Sequence, residues 1–402
     1  MRWIGRLCAI LAIALAAGGA AGSPNPMDVM IDDEGFLLVE WDRFFPIGAY
    51  DPPAGWAPGD LARAGFNLLR VRADLASWDE AAASDLRVWH ALGETLAWSS
   101  KNEKADALTA RVLPLIGHRA LLFRESVDEP AWTNNDPERA RLAPEPLIRG
   151  YRALRQIDLL HPVFLNHAPW NPVETLQRYN EACDIVGVDI YPIIPRGIRP
   201  QYALTADGRH GNLPNQTPSC VGEFARKMRT VAGPHRPVFV VLQGFAWEGL
   251  RKEGDRDPRM IRYPRFEESR FMALDAVING ANGLLYWGLR YVPENHGFPG
   301  ELTRVTRELR EWAPAILGRT IAQRGPEAAG GVELLVRERP DGRRVVFTAN
   351  TKQESVRAKL ADLPVRGGAP RRVETDERIA LEGGALSGEY APLEVRIFEE
   401  TP

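Results

Sequence analysis

Cysteine is scarce in this 402-residue chain, with three residues in all, Cys8, Cys183 and Cys220. So few thiols exclude a disulfide-dense scaffold. Charge of one sign is lacking too. Lys and Arg number 50, Asp and Glu 53, for a net charge of −3, and no long run of like charge occurs. That balance argues against nucleic acid as the main partner. Low-complexity tracts and short-period repeats are absent. The glycine-rich turn G-x-G-x-x-G is missing, which lowers a dinucleotide cofactor. The seven histidines are scattered. The first barrel-like strand reads Gly48-Ala49-Tyr50, without the His-x-His of metal-dependent barrels. No metal and no other cofactor is expected, and a metal-dependent hydrolase lacks its His/Asp cluster.

The N-terminus has its own character. Met1–Arg6 carries two arginines, Leu7–Ala17 is almost wholly apolar, and Gly18–Gly22 is small throughout. This is the pattern of a secretory signal over residues 1–22, and its apolar run is shorter than the ~20 residues of a permanent span. A secreted or periplasmic protein with no membrane span after cleavage is expected, with an uncleaved anchor as the alternative. Cys183 precedes a strand and Cys220 begins the next helix, at opposite ends of a barrel. A strand separates such positions by about 17–20 Å, and a disulfide needs Cα atoms within about 7 Å. Two buried thiols are predicted.

After a lead-in over residues 23–44, short apolar runs alternate with helical patterns. The runs are Phe45–Tyr50, Phe66–Val71, Leu86–Leu92, Leu121–Val127, Val163–Asn166, Ile185–Tyr191, Val238–Gln243 and Gly283–Trp287. Between them lie amphipathic stretches such as Glu145–Leu160, Pro172–Ala182, Val221–Val231 and Phe266–Ile278, and an eighth helix is expected at Leu302–Leu317. Strands apolar on both faces alternating with helices signal a parallel sheet. Eight such units fit a closed (β/α)8 TIM barrel over residues 45–319. From residue 320 the pattern becomes alternating strands: Val332–Arg337, Arg344–Ala349, Ser355–Leu360 and Leu393–Phe398, with Pro340-Asp341-Gly342 as a turn. A small antiparallel β-domain over 320–402 is expected.

In such a barrel, chemistry sits at the C-terminal ends of the strands. The sharpest candidate is Asp128-Glu129-Pro130 at the end of strand four. The charge of Asp128 raises the pKa of Glu129, as a general acid near neutrality requires. The competing reading is a helix cap followed by a helix-starting proline. Tyr50, Arg70, Asn166, His167, Asp189, Tyr191, Gln243, Trp247, Tyr286 and Trp287 also fall at or just beyond strand ends, and the aromatics among them suit a sugar ring. The loops after strands six and seven, Pro192–Ser219 and Gly244–Arg265, are long enough to wall a cleft.

These residues resemble the retaining glycoside hydrolases with a (β/α)8 barrel, the β-galactosidase and cellulase type, over about Phe45–Leu317. The resemblance implies Glu129 as acid/base, Asp128 on a sugar hydroxyl, Trp287 as the sugar platform and Arg70 as the brace of a nucleophile. The strand-seven glutamate of those enzymes is replaced by Gln243. An amide cannot form the glycosyl ester, so a retaining pair is incomplete as written. Three repairs stay open: Glu248 folding back, Asp189 as the base of an inverting enzyme, or substrate-assisted chemistry of the β-N-acetylhexosaminidase kind through Asp128 and Glu129. The expectation is a glycoside hydrolase acting on an oligo- or polysaccharide. The alternative is a saccharide-binding protein that has lost its nucleophile. The oligomeric state is not readable.

Overall fold

The structure is a computed structural model and describes residues 29–132, 140–195, 203–204, 210–211, 215–366 and 369–400. The proposed signal over residues 1–22 lies outside them. Eight parallel strands close into a barrel: β1 (Ile47–Ala49), β2 (Leu68–Arg70), β3 (Arg87–Ala91), β4 (Leu121–Glu125), β5 (Val163–His167), β6 (Ile185–Asp189), β7 (Val238–Gln243) and β8 (Gly283–Trp287). β8 pairs in parallel with β1 and closes the ring. Each strand starts and ends within two residues of the run that predicted it.

Among the described residues eight helices accompany the strands: α1 (Pro58–Arg63), α2 (Leu75–Ala83), α3 (Ala105–Val112), α4 (Pro144–Leu154), α5 (Val173–Gln177), α6 (Cys220–Ala232), α7 (Phe266–Ile278) and α8 (Phe298–Ile316). Local chemistry sets their ends. α1 starts on Pro58, and the Asp60 carboxylate accepts from the Ala57 amide at 2.8 Å. The chain then turns at Gly65, whose φ of +98° and closeness to the Thr306 backbone both favour glycine. The Asp74 carboxylate caps α2 by accepting from the Ser77 amide at 2.9 Å. Among the described residues no helix is long and apolar enough to cross a membrane.

Side chains alternate along each strand, and the inward ones fill the barrel. Trp89 stacks on Phe123 at 5.6 Å, and Phe123 meets Phe164 and Phe239 edge-on, each at 5.6 Å. Gly48 and Gly187 make room for this aromatic plug, since a Cβ on Gly187 would run into the Phe164 ring. Strands Val29–Ile31, Leu37–Val39 and Asp42–Phe44 form a small sheet that contributes Leu37 and Val39 to this core. Cys183 and Cys220 are both buried and free.

The C-terminal region is a six-stranded sheet beside a two-stranded one, and Val332–Glu338 and Arg344–Asn350 are its longest members. One face, with Leu334, Val336, Val346 and Phe398, packs on its own small core. The other, with Leu335, Phe347 and Ile397, joins the large core of the barrel helices. There Trp312 of α8 meets Phe347 edge-on at 6.2 Å.

Candidate active site

Inward alternation brings the last residue of several strands to one mouth. Glu125 ends β4 two residues after the inward Phe123, so it too points into the barrel, and it is buried. Its carboxylate is clamped: Tyr50 Oη donates to Oε1 at 3.0 Å and Trp89 Nε1 donates to Oε2 at 3.1 Å. The Arg70 guanidinium stands 3.9 Å from Oε2 and lies over the Tyr50 ring. Burial pushes the Glu125 carboxyl up to about 7. The charge of Asp128 adds to this, against the pull of Arg70 and of the two hydrogen bonds.

Beyond β4 the chain turns through Asp128 and Glu129. Glu129 has a φ of +46°, in the left-handed region that a non-glycine residue rarely adopts. Its amide donates to the Asn166 carbonyl at 3.0 Å, which fixes the turn against β5. The Asn166 side chain binds the group together, since its Nδ2 donates to Asp128 Oδ1 at 3.0 Å and to Asp189 Oδ1 at 3.2 Å. The buried Asn166 Oδ1 has no partner among the described residues.

The Glu129 and Asp189 carboxyls lie within hydrogen-bonding reach of each other, so a proton on either one can be shared between them. Burial and then the Asp128 charge push Glu129 up to about 7. Burial, then the charges of Glu129 and Asp128, drive Asp189 well above the usual carboxylate range. Two half-buried carboxyls in contact cannot both ionise cheaply.

The mouth is divided into two chambers. A polar one of about 380 Å³ is lined by Tyr50, Arg70, Glu125, Asp128 and Asn166. An aromatic one of about 270 Å³ is lined by Trp132, Trp170, Phe245, Trp247 and Leu250. Glu129, Asp189, Tyr191 and Trp287 border both and form the partition. Tyr191 and Trp287 stack there at 5.7 Å.

Of the residues singled out in the sequence, Tyr50, Arg70, Asp128, Glu129, Asn166, Asp189, Tyr191, Trp247 and Trp287 therefore meet at one mouth. Four others line neither chamber. Gln243 spends its amide on backbone, accepting from Ile193 N at 2.9 Å and donating to Ile193 O and Phe245 O at 3.1 and 3.0 Å. Glu248 does not fold back to the mouth, because Arg251 and the Asp257 amide hold its carboxylate within its own loop. His167 alternates to the outside of β5, against Tyr179, where burial lowers its pKa to about 3. Tyr286 likewise faces outward, edge-on to Phe66 at 5.9 Å.

Glu125 escaped the sequence reading. Its signal was the strand-four alternation, Phe123 in, Arg124 out, Glu125 in. Arg70, expected to brace a strand-seven nucleophile, stands instead beside this strand-four carboxylate. Among the described residues no group of three or more His, Cys, Asp or Glu is arranged to hold a metal ion.

No protein-family model and no curated protein matches the chain. Solved structures do. A β-L-arabinopyranosidase from Geobacillus stearothermophilus is similar with a TM-score of 0.56 at 12% identity, covering 89% of this chain and 96% of that one. An endoxylanase from Clostridium papyrosolvens gives 0.51 at 10%, covering 93% and 100%. An α-amylase from Geobacillus thermoleovorans gives 0.53 at 9%, covering 85% and 90%. At such identities the likeness is one of fold alone: the chain is a (β/α)8 barrel with a small β-domain after it, and it shares its fold with these solved structures.

Proposed function

We propose that this chain is an exported glycoside hydrolase that cleaves a saccharide with Glu129 as proton donor and Glu125 as the second carboxylate. The observation that carries the reading is the pairing, at one mouth, of a proton-sharing couple with a separate, clamped carboxylate. The couple is Glu129 with Asp189, and the clamp on Glu125 is Tyr50, Trp89 and Arg70. Glycosidic cleavage needs these two functions. The glycosidic oxygen takes the proton of Glu129 as its bond to C1 breaks, and Asp189 keeps that proton available by sharing it. Glu125, once ionised, either attacks C1 or takes a proton from the water that does. Trp287 offers a flat face, and the open Asn166 Oδ1 an acceptor for a sugar hydroxyl.

The test is hydrolysis of aryl glycosides and oligosaccharides, N-acetylated sugars included, by the mature protein, Glu129→Gln and Glu125→Gln. Each substitution is expected to lower kcat by about 10²–10⁴-fold. Retention of the anomer in the product makes Glu125 the nucleophile, and inversion makes it the base. Activity confined to N-acetylated sugars favours the substrate-assisted route. Sugar binding without turnover, unchanged in Glu129→Gln and lost in Trp287→Ala, makes the chain a saccharide-binding protein. The Gln243 amide, buried where related barrels carry a glutamate, is what favours that second reading.

A further inference from the structure

The partition decides which chamber takes which half of the substrate. This inference rests on the glycosidase reading. The proton donor must face the leaving oxygen, and Glu129 borders both chambers, so the bond to be broken lies over the partition. The second carboxylate must reach C1, and Glu125 opens only to the polar chamber. The sugar ring that bears C1 therefore sits among Tyr50, Arg70, Asp128 and Asn166. What remains for the leaving group is the aromatic chamber.

We propose that this chamber is a leaving-group subsite for a flat, apolar aglycone, an aryl or similar hydrophobic group, and not for a second sugar. A sugar there would bring hydroxyls that need partners, and a buried hydroxyl without one is costly. Among the described residues the lining offers no Arg, Lys, Asn, Gln, Ser or Thr; besides the two acids its side-chain polar groups are the Tyr191 hydroxyl, engaged with Asp189, and indole N–H groups, which can donate but not accept. The indole N–H of Trp247 is committed to the Tyr191 carbonyl at 3.1 Å. Glu129 and Asp189 are occupied with the proton. The rings, in contrast, are set for an aromatic guest. Phe245 meets Trp247 at 5.2 Å and 74°, and Trp287 at 5.0 Å and 88°, so each ring is braced edge-on by a neighbour. Such a cage is ordered before the ligand arrives and offers apolar contact without asking for hydrogen bonds.

The test separates binding from turnover. Phenyl and methyl 1-thioglycosides of glucose, galactose, xylose and N-acetylglucosamine resist hydrolysis and share their sugars, so calorimetric titration of each pair isolates the aglycone. At least one pair is expected to show the phenyl member about tenfold tighter or more. Trp247→Ala is expected to bring that ratio close to one. Leu250→Asn, a milder change at the same chamber, should lower it as well and serves if Trp247→Ala does not fold. Equal affinity within every pair, absence of binding included, overturns the proposal, and so does tighter binding of a thio-linked disaccharide than of the phenyl member. A phenyl preference in a protein that hydrolyses nothing keeps the aryl-binding chamber and removes the hydrolase. Hydrolysis of disaccharides with no phenyl preference does the reverse.

Discussion

Asp128 is exposed, yet its charge acts on all three of the more sheltered carboxyls around it. It raises Glu125, Glu129 and Asp189 alike. On the proposed mechanism the acid limb of activity follows ionisation of Glu125, and the alkaline limb follows loss of the proton shared by Glu129 and Asp189. Removing the Asp128 charge lowers every one of these pKa values. Asp128→Asn should therefore move both limbs of the kcat/KM profile toward acid, while the new amide oxygen still accepts from Asn166. A profile that keeps its limbs and only loses height would sink this account. The place of Glu129 at the mouth was legible in the sequence because a carboxylate pair before proline at a strand end is a local signal. That of Glu125 was not, because the clamp around it comes from Tyr50 just beyond β1, Arg70 of β2 and Trp89 of β3, which no spacing reveals.

Strand by strand, order and position were readable, since apolar runs and the helices between them obey short-range rules. The facing of the last residue in each strand was harder. Asn166 and His167 are neighbours, as are Tyr286 and Trp287, and in each pair only one reaches the mouth. A shift of one residue exchanges them, so a list of strand-end residues mixes site with packing. Gln243 shows the same limit for loops. It reads as a lost nucleophile, yet its amide staples the end of β7 to the loop after β6. Gln243→Glu should not create a working nucleophile. The new carboxylate would face the carbonyls of Ile193 and Phe245 with no proton to donate, at a cost of about 1–3 kcal/mol. Urea unfolding should show a lower midpoint with an unchanged slope, and activity should not rise. A variant as stable as the parent, with a new group in its pH profile, would contradict this.

Across the whole molecule, the barrel and the β-domain meet at a buried carboxyl pair that nothing in the sequence announced. Asp275 lies on α7 and Glu333 on the strand Val332–Glu338, and both are fully buried. Glu333 accepts from Asn279 Nδ2 at 2.9 Å and from Arg226 at 3.2 Å, while Asp275 accepts from the Gly222 amide at 2.6 Å. Burial, and then the charge of Glu333, pushes Asp275 well above the usual carboxylate range, so it holds its proton and hydrogen-bonds Glu333. The sign follows from that direction. In the unfolded chain Asp275 ionises near its ordinary pKa of about 4. Its contribution to stability is complete below that pH and is lost as pH rises through the higher folded value. Asp275→Asn keeps a donor toward Glu333 and an acceptor for Gly222, gives up the acceptor that Asn279 Nδ2 uses at 3.1 Å, and has no proton to lose, so its stability starts lower but should fall less with rising pH than that of the parent. Glu333→Gln is the contrasting change. It turns an acceptor of two donors into a group that cannot satisfy both, and should cost about 1.5–3 kcal/mol at every pH. Thermal unfolding of the three proteins between pH 5 and about 9 distinguishes these outcomes. Parallel pH slopes for the parent and Asp275→Asn would mean that the proton is not held at this joint, and that its polar ties are those of Glu333 to Asn279 and Arg226.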